Sequence, residues 1–200
     1  MSRFSNFIRD IAFDTYPEPR SDGHDAITVT HGEGFMSKLP APATILDVGC
    51  GQGPALELFG KHGHRTIGIA LNPEDVKICT GLGYDVREMD QNAMPAAWRK
   101  FYDGVWARHV LEHSVAPYFT LKEFARVLKP GGWLYVEVPA PDTACQHETN
   151  PNHYSVMGAR MWGELLMRAG FDWKGTVNET RIKTGAGPDI YLSFLVQKRP

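Results

Sequence analysis

The sequence predicts an α/β fold in which a mostly parallel sheet carries helices on both faces. Short apolar runs alternate with helical stretches from about residue 44 onward, and this alternation is typical of parallel sheets. A glycine-rich turn directly after the first run joins a buried strand to a helix. These observations predict a ligand cleft at the carboxyl ends of the strands.

The elements follow one another in chain order. Runs rich in apolar and β-branched residues indicate strands, and longer segments between them indicate helices. Pro73 fits a first helical position, and Gly81 and Gly83 fit the end of the same helix. Strands are predicted around residues 45–48, 66–70, 84–87, 104–107 and 133–138, and helices at 54–61, 73–80 and 117–128.

The most informative segment is ILDVGCGQG, residues 45–53. Gly49, Gly51 and Gly53 allow the backbone to turn tightly and to approach a ligand closely. Asp47 supplies one negative charge, which suits a cationic group such as an amine or a sulfonium. Dinucleotide-binding turns use G-x-G-x-x-G to receive a pyrophosphate, whereas this chain has G-x-G-x-G. The spacing favours a cationic ligand, and a turn without any ligand is the alternative.

Composition indicates one soluble domain. The chain has 200 residues, of which 42% are hydrophobic, and its formal charge of -2 shows no basic excess. Extended contact with nucleic acid is therefore not expected. No apolar run approaches the roughly 20 residues of a membrane-spanning helix. Cys50, Cys79 and Cys145 are widely spaced, so we expect reduced thiols, a cytoplasmic location and no zinc-binding C-x-x-C pair.

Two segments flank the predicted core. In residues 1–40, Phe4, Phe7, Ile8 and Ile11 share one face of a short helix, and a Pro/Gly/His-rich stretch follows. This segment is either a cover over the cleft or an ordinary terminal helix packed on the sheet, and residues 41–200 form the main domain. The run PAPDTACQHETNPNHYS after Val138 is too long for a routine connection, and long loops often carry substrate contacts.

The glycine turn resembles the D-x-G-x-G-x-G motif of the class I S-adenosylmethionine-dependent methyltransferases. The likeness covers roughly residues 40–200. FARVLKPGGWLYVEVP, followed by NHYS and LLMRAGF, is similar to the type 11 branch in particular; GIALNPEDV, MDQNAMP and YDGVWARHVLEH also match. The resemblance implies a Rossmann-like seven-stranded sheet whose last strand, at about residues 190–197, is antiparallel. It also implies S-adenosyl-L-methionine as the cofactor.

The resemblance further implies how the cofactor is held. Asp47 and the glycine turn would hold the methionine part, with a main-chain oxygen from Arg108. Asp90 would accept a hydrogen bond from the adenine amino group, and the Gln91 amide would reach a ring nitrogen. Alternatively, Asp90 caps the following turn and Arg108 is a solvated charge. The implied cofactor residues are Asp47, Gly49, Cys50, Gly51, Gly53, Ala70, Leu71, Asn72, Asp90, Gln91 and Arg108.

One position departs from the family pattern. Relatives usually carry an acid at the end of the second strand to clamp the ribose hydroxyls, and this chain has Ala70. Loss of such an acceptor weakens binding by about 1.5 to 3 kcal/mol unless Asn72 replaces it, and Asn72 could equally be a helix cap. The departure favours a second hypothesis, a noncatalytic binding or assembly protein. An NAD-dependent oxidoreductase is a third, disfavoured by the glycine spacing.

Histidines are the candidate catalytic residues. Placement of the acceptor in line with the methyl group supplies much of the catalysis, and a base is needed only for an acceptor such as a hydroxyl. His109 and His153 are predicted as that base because histidine titrates near neutrality. His113 is expected to have a structural role. His109 and His113 with Glu112 faintly resemble a metal pair, but the resemblance implies no metal.

The acceptor is expected to be a small molecule, such as a sugar, a lipid-linked intermediate or another metabolite. Enzymes that methylate exocyclic amines of DNA resemble one another in an N/D-P-P-Y/F/W motif after the fourth strand, where this chain reads ARHV. Cytosine C5 enzymes use a Pro-Cys nucleophile, and no cysteine here follows a proline. The sequence leaves the methylated atom and the oligomeric state open.

Overall fold

A computed structural model of the protein describes residues 3, 6, 7 and 20–200. The predicted helix face of Phe4, Ile8 and Ile11 lies outside the described residues, and Phe7 is exposed. The helices are α1 (Asp22–Met36), α2 (Pro54–Lys61), α3 (Pro73–Gly81), α4 (Pro117–Val127) and α5 (Ala159–Ala169), with 3-10 turns at Ala96–Trp98, Leu111–His113 and His147–Thr149. The strands are β1 (Thr44–Val48), β2 (Arg65–Ala70), β3 (Val86–Glu88), β4 (Tyr102–Arg108), β5 (Leu128–Pro139), β6 (Phe171–Asp172), β7 (Asn178–Thr184) and β8 (Gly187–Lys198).

The strands form one sheet in the order β3-β2-β1-β4-β5-β8-β6. β1 to β5 are parallel, and β8 runs antiparallel to β5. β6 and β7 pair with successive parts of the same outer edge of β8, so the sheet has seven positions across its width. The predicted seven-stranded, mostly parallel sheet with an antiparallel last strand is confirmed.

The predicted elements agree with the observed ones, with shifts at their ends. α2 has the predicted bounds, and α3 extends one residue further, to Gly81. β5 begins at Leu128, five residues before the predicted start, because Leu128 already pairs with Tyr102 of β4. That pairing depends on the neighbouring strand, which the local pattern does not report.

Helix α1 was not predicted, because its sequence was interpreted as part of a Pro/Gly/His-rich stretch. The Ser21 side chain caps it by accepting a hydrogen bond from the His24 N–H at 3.4 Å. Phe35 near its end is fully buried against aromatic rings of α2, β4 and β5, with centroids 5.5 to 6.5 Å away. A Cβ at Gly32 would lie 2.4 Å from Leu58. Close packing on the sheet, and not local propensity, therefore stabilises α1.

The positions of the helices leave the carboxyl edge of β1 and β4 facing α1. A large apolar core lies around β4, β5, α4 and α5, and a smaller aromatic core lies beneath α1. Trp106 of β4 and Tyr135 of β5 stack in the smaller core with ring centroids 4.0 Å apart.

Within the described residues, no helix is both long and apolar enough to cross a membrane.

Candidate active site

A cleft lies between α1 and the carboxyl ends of β1 and β4. The sequence-predicted residues Asp47, Gly49, Cys50, Gly51, Arg108 and His109 line one side of it. Arg20, Ser21, His24, Asp25 and Thr28, in α1 and just before it, line the other side. The carboxyl ends of the central strands thus form one wall of the cleft, and α1 with the two residues before it forms the other.

Asp47 is the acid in this cleft. Its side chain is 2% exposed, and its Oδ2 has no hydrogen-bond partner among the described residues. Burial raises the pKa of Asp47 well above its ordinary value, because a charged carboxylate is poorly solvated there. A cationic ligand group beside Oδ2 would compensate that charge. The site therefore fits the amine or sulfonium of the implied cofactor.

The glycine turn supports Asp47 and leaves space beside it. The N–H groups of Gly49 and Cys50 donate to the Ile69 carbonyl at 2.8 and 3.1 Å, which fixes the turn on β2. Gly49, Gly51 and Gly53 have φ values of +66°, +48° and +83°, a region that favours glycine. A Cβ at Gly51 would meet no atom of the described chain within 4 Å. A ligand can therefore approach the backbone at Gly51.

The other implied cofactor residues do not line this cleft. Ala70 is buried at the end of β2 and belongs to an apolar cluster that includes Cys79. Leu71 is 37% exposed. The Asn72 side chain accepts a hydrogen bond from the Glu74 N–H at 2.9 Å and so caps α3. The capping alternative for Asn72 is therefore observed, and its contact with a ribose stays a prediction.

Asp90 and Gln91 lie after β3. Asp90 accepts a hydrogen bond from the Asn92 N–H at 2.7 Å, so it caps a turn as its alternative interpretation proposed. Burial raises the pKa of Asp90, and the Asn92 contact opposes that change. Gln91 donates to the Val110 carbonyl at 3.4 Å, whereas its Oε1 has no partner in the described part of the chain. Their proposed contacts with adenine stay predictions.

Arg108 is not the solvated charge that one interpretation of the sequence proposed. Its Nε donates to Glu137 at 2.5 Å, and one terminal nitrogen donates to the Thr28 hydroxyl at 3.2 Å and the His24 carbonyl at 3.3 Å. The guanidinium thus links α1 to β5. The reason for the difference is Glu137, which attracts the side chain into the protein interior.

Glu137 is a site residue that the sequence reasoning missed. It is fully buried in β5, and its carboxylate also accepts hydrogen bonds from the Tyr135 hydroxyl at 2.7 Å and from His31 at 2.8 Å. Burial alone would raise the pKa of Glu137, but hydrogen bonds from His109 and His31 and the charge of Arg108 hold it well below its usual range. The sequence does contain a signal for this residue, because Glu137 is a charged residue within the otherwise apolar run YVEVP of a buried strand.

His109 lies between two carboxylates. Its ring nitrogens are 3.4 Å from Glu112 and 3.2 Å from Glu137, and its ring stacks on His24 with centroids 5.7 Å apart. Burial lowers the pKa of His109, but the close contacts with the two carboxylates outweigh burial and raise it to about 9. A histidine that is already cationic at neutral pH cannot accept a proton. This geometry argues against the predicted role of His109 as base.

His113 and His153 meet on the other side of Glu112. Their ring centroids are 4.8 Å apart, and His113 contacts the Asn152 carbonyl through Nδ1 at 2.9 Å. His153 contacts the His147 carbonyl through Nδ1 at 3.0 Å, and burial lowers its pKa. Possible metal-ligating atoms of Glu112, His113 and His153 lie within 4.8 Å of one another. The structure therefore adds His153 to the Glu112 and His113 considered from the sequence, while His109 keeps its own contact with Glu112 at 3.4 Å.

Comparison with known proteins identifies similar sequences that are methyltransferases. A family model described as a methyltransferase domain matches residues 30–173. The ubiquinone biosynthesis O-methyltransferase of Nitrosospira multiformis is 29% identical over 157 residues, which are 73% of this chain and 62% of that relative. The chain thus spans less than two thirds of the relative's length.

Solved structures share the fold. The 1,6-didemethyltoxoflavin-N1-methyltransferase of Burkholderia thailandensis, bound to 1,6-didemethyltoxoflavin and S-adenosylhomocysteine, has a TM-score of 0.68 at 21% identity, covering 98% of this chain and 87% of that one. A SAM-dependent methyltransferase from Archaeoglobus fulgidus has a TM-score of 0.68 at 18% identity, covering 97% and 99%. At these identities, the likeness concerns the fold.

Proposed function

Because the chain belongs to the methyltransferase-domain family of class I S-adenosylmethionine-dependent methyltransferases, we propose that it transfers a methyl group to a small-molecule acceptor. The observation that carries this proposal is the buried Oδ2 of Asp47, which has no hydrogen-bond partner in the described part of the chain and lies beside the open backbone of Gly51. The O-methyltransferase name of a relative supports a small acceptor with a hydroxyl group. We include no nucleic-acid partner in the proposal.

The residues of the chain would bind the cofactor and orient the acceptor. When bound, S-adenosylmethionine supplies an electrophilic methyl group on a sulfonium. Asp47 would face the cationic amine, and the open backbone at Gly51 would admit the methionine part. The Asp90 carboxylate and the Oε1 of Gln91 have lone pairs that could accept hydrogen bonds from the adenine amino group.

We further propose that residues 1–40 act as a cover, with residues 41–200 as the methyltransferase domain. Helix α1 lines the cleft through His24 and Thr28. Arg108 holds both of these residues through the contacts described above. A cover held in this way would exclude water from the cleft and keep reactants in place.

His153 is the better of the two proposed bases for a hydroxyl acceptor. Since a carbonyl oxygen only accepts, the contact with His147 places the hydrogen on Nδ1 and leaves Nε2 as the acceptor nitrogen. The lowered pKa of His153 keeps the ring neutral near pH 7. In this proposal, the acceptor hydroxyl gives its proton to His153 Nε2 as the methyl group is transferred.

A noncatalytic binding or assembly protein is the second candidate. Ala70 favours it because the position lacks the ribose acid of the family, and the Asn72 oxygen is already used in the cap of α3. An NAD-dependent oxidoreductase is disfavoured by the same missing acid and by the glycine spacing.

Calorimetric titration with S-adenosylhomocysteine, S-adenosylmethionine and NAD tests the proposal. We expect the two sulfur ligands to bind and NAD to give no signal. Tight NAD binding without a response to S-adenosylhomocysteine would contradict the proposed activity. Binding of S-adenosylmethionine without turnover of any acceptor in a metabolite screen would favour the noncatalytic candidate.

The histidines are tested on an acceptor found in that screen. His153→Asn should lower turnover by about 10² to 10⁴ and leave cofactor affinity nearly unchanged, as expected for loss of a general base. His113→Asn is the matched control, and it should mainly lower the melting temperature. Full turnover in the His153 variant would show that His153 is not the base and that catalysis comes from placement of the acceptor alone.

A further inference from the structure

A second group of chemically reactive side chains lies outside the cleft. Cys145 and His147 come from the long loop after β5, and Asp189 comes from the start of β8. Possible ligating atoms of the three side chains lie within 4.8 Å of one another. No local pattern predicts this group, because Asp189 is more than 40 residues away from the other two along the chain.

Asp189 and His147 are already placed against each other. Asp189 is 1% exposed, and its two carboxylate oxygens lie 3.1 and 3.0 Å from His147 Nε2. One of these oxygens also accepts a hydrogen bond from the Ile190 N–H at 2.9 Å. Asp189 is therefore a buried carboxylate whose orientation is fixed by the backbone of its own strand.

The loop that carries Cys145 is held beside the hairpin of β7 and β8. The Ala144 N–H donates to the Pro188 carbonyl at 3.3 Å, and the Cys145 Sγ lies 3.2 Å from the Thr184 hydroxyl. A Cβ at Gly187 would lie 2.8 Å from Ala144, so the two segments are in direct contact. The thiol thus remains close to the Asp189 and His147 pair.

These distances are close to those of a tetrahedral metal site. Zinc bonds of about 2.0 to 2.3 Å place neighbouring donor atoms roughly 3.3 to 3.8 Å apart. The Asp189 and His147 atoms are already near that separation, and the Cys145 Sγ lies within 4.8 Å of both, so ligation requires the thiol to move closer by about 1 Å. A thiolate with an imidazole selects a zinc-like ion over magnesium or calcium, which prefer oxygen donors only.

We propose that Cys145, His147 and Asp189 bind a zinc-class divalent cation, which joins the long loop to the β7–β8 hairpin. Three protein ligands leave a fourth position for water or a ligand oxygen. When the cation binds, the Cys145 thiol loses its proton to solvent, and the His147 ring carries its hydrogen on Nδ1 in place of the Nε2 that faces Asp189. Because a proton is released, affinity should rise with pH. This inference does not depend on methyl transfer.

Cobalt(II) titration of the full chain, freed of metal by chelator, tests the proposal. We expect one equivalent to bind with a thiolate-to-cobalt charge-transfer band, which zinc then removes by displacement. Cys145→Ser should abolish the band. Asp189→Asn should weaken zinc binding by at least about tenfold, since even outer-shell changes cost 10- to 100-fold.

Two controls separate this site from the other cysteines and histidines. Cys79→Ser and His113→Asn should both retain the band. Absence of one-equivalent binding would overturn the proposal, as would a band that persists in Cys145→Ser or disappears in His113→Asn. If Asp189→Asn fails to fold, the partly exposed Cys145 variant still decides the outcome.

Discussion

Raising the pH should destabilise this protein through His109. The pKa of His109 is raised from 6.5 to about 9, which corresponds to roughly 3 kcal/mol at about 1.4 kcal/mol per pKa unit. A group whose pKa is raised in the folded state makes its full contribution to folding stability when the pH is below its pKa in the unfolded state. That stabilisation is lost as the pH rises through about 9. The ring faces Glu112, Glu137, His24 and Tyr191.

The assay is urea unfolding without ligand at constant ionic strength, over a pH series that spans this window. The wild-type unfolding free energy should fall by up to about 3 kcal/mol between pH 6.5 and just above pH 9. His109→Asn is the matched variant because asparagine tolerates the left-handed φ of +55° at this position. The other ionisable residues are the same in both proteins, so the difference between the two curves isolates His109.

Equal pH slopes in the wild type and in His109→Asn would refute the reasoning. A wild-type stability that rises through the window would refute it as well, because the histidine would then be neutral when folded. In that case His109 would again be available as a base, and the assignment of His153 would have to be reconsidered.

Three further predictions concern the cleft and its turn. Asp47→Asn should weaken S-adenosylhomocysteine binding by about 10- to 100-fold, since one charge-assisted contact is lost; unchanged calorimetric affinity would contradict the role of Asp47. Ala70→Asp should tighten S-adenosylmethionine binding by about tenfold or more if the ribose lacks an acceptor, and unchanged affinity would mean that another group fills that role. Gly53→Ala should cost about 1 to 2 kcal/mol in urea unfolding, because φ is +83° and a Cβ would lie 3.1 Å from Tyr84. Gly60→Ala, in open helical surroundings, is its control, and equal stability of the two variants would contradict the argument.

The sequence alone determined the features that depend on residues close together along the chain. Local periodicity predicts the strands and the start of α2 at Pro54. Backbone sterics explain why glycine occupies the left-handed positions 49, 51 and 53. Asp47 could be placed near the carboxyl end of a central strand because it comes two residues before the first glycine of the turn. The resemblance extended these local signals to the antiparallel β8, which the structure confirms.

Tertiary structure alone decided how the charged residues behave. His31 and Glu137 are 106 residues apart in the chain and form a buried contact, so no local pattern reports it. The same contact network determines that the Arg108 side chain is only 10% exposed, that the pKa of His109 is raised and that α1 lines the cleft. Helix α1 has three glycines in its sequence and is stabilised by packing. The physical reason is that desolvation and charge pairing depend on which groups meet in space, and this follows only from the complete fold.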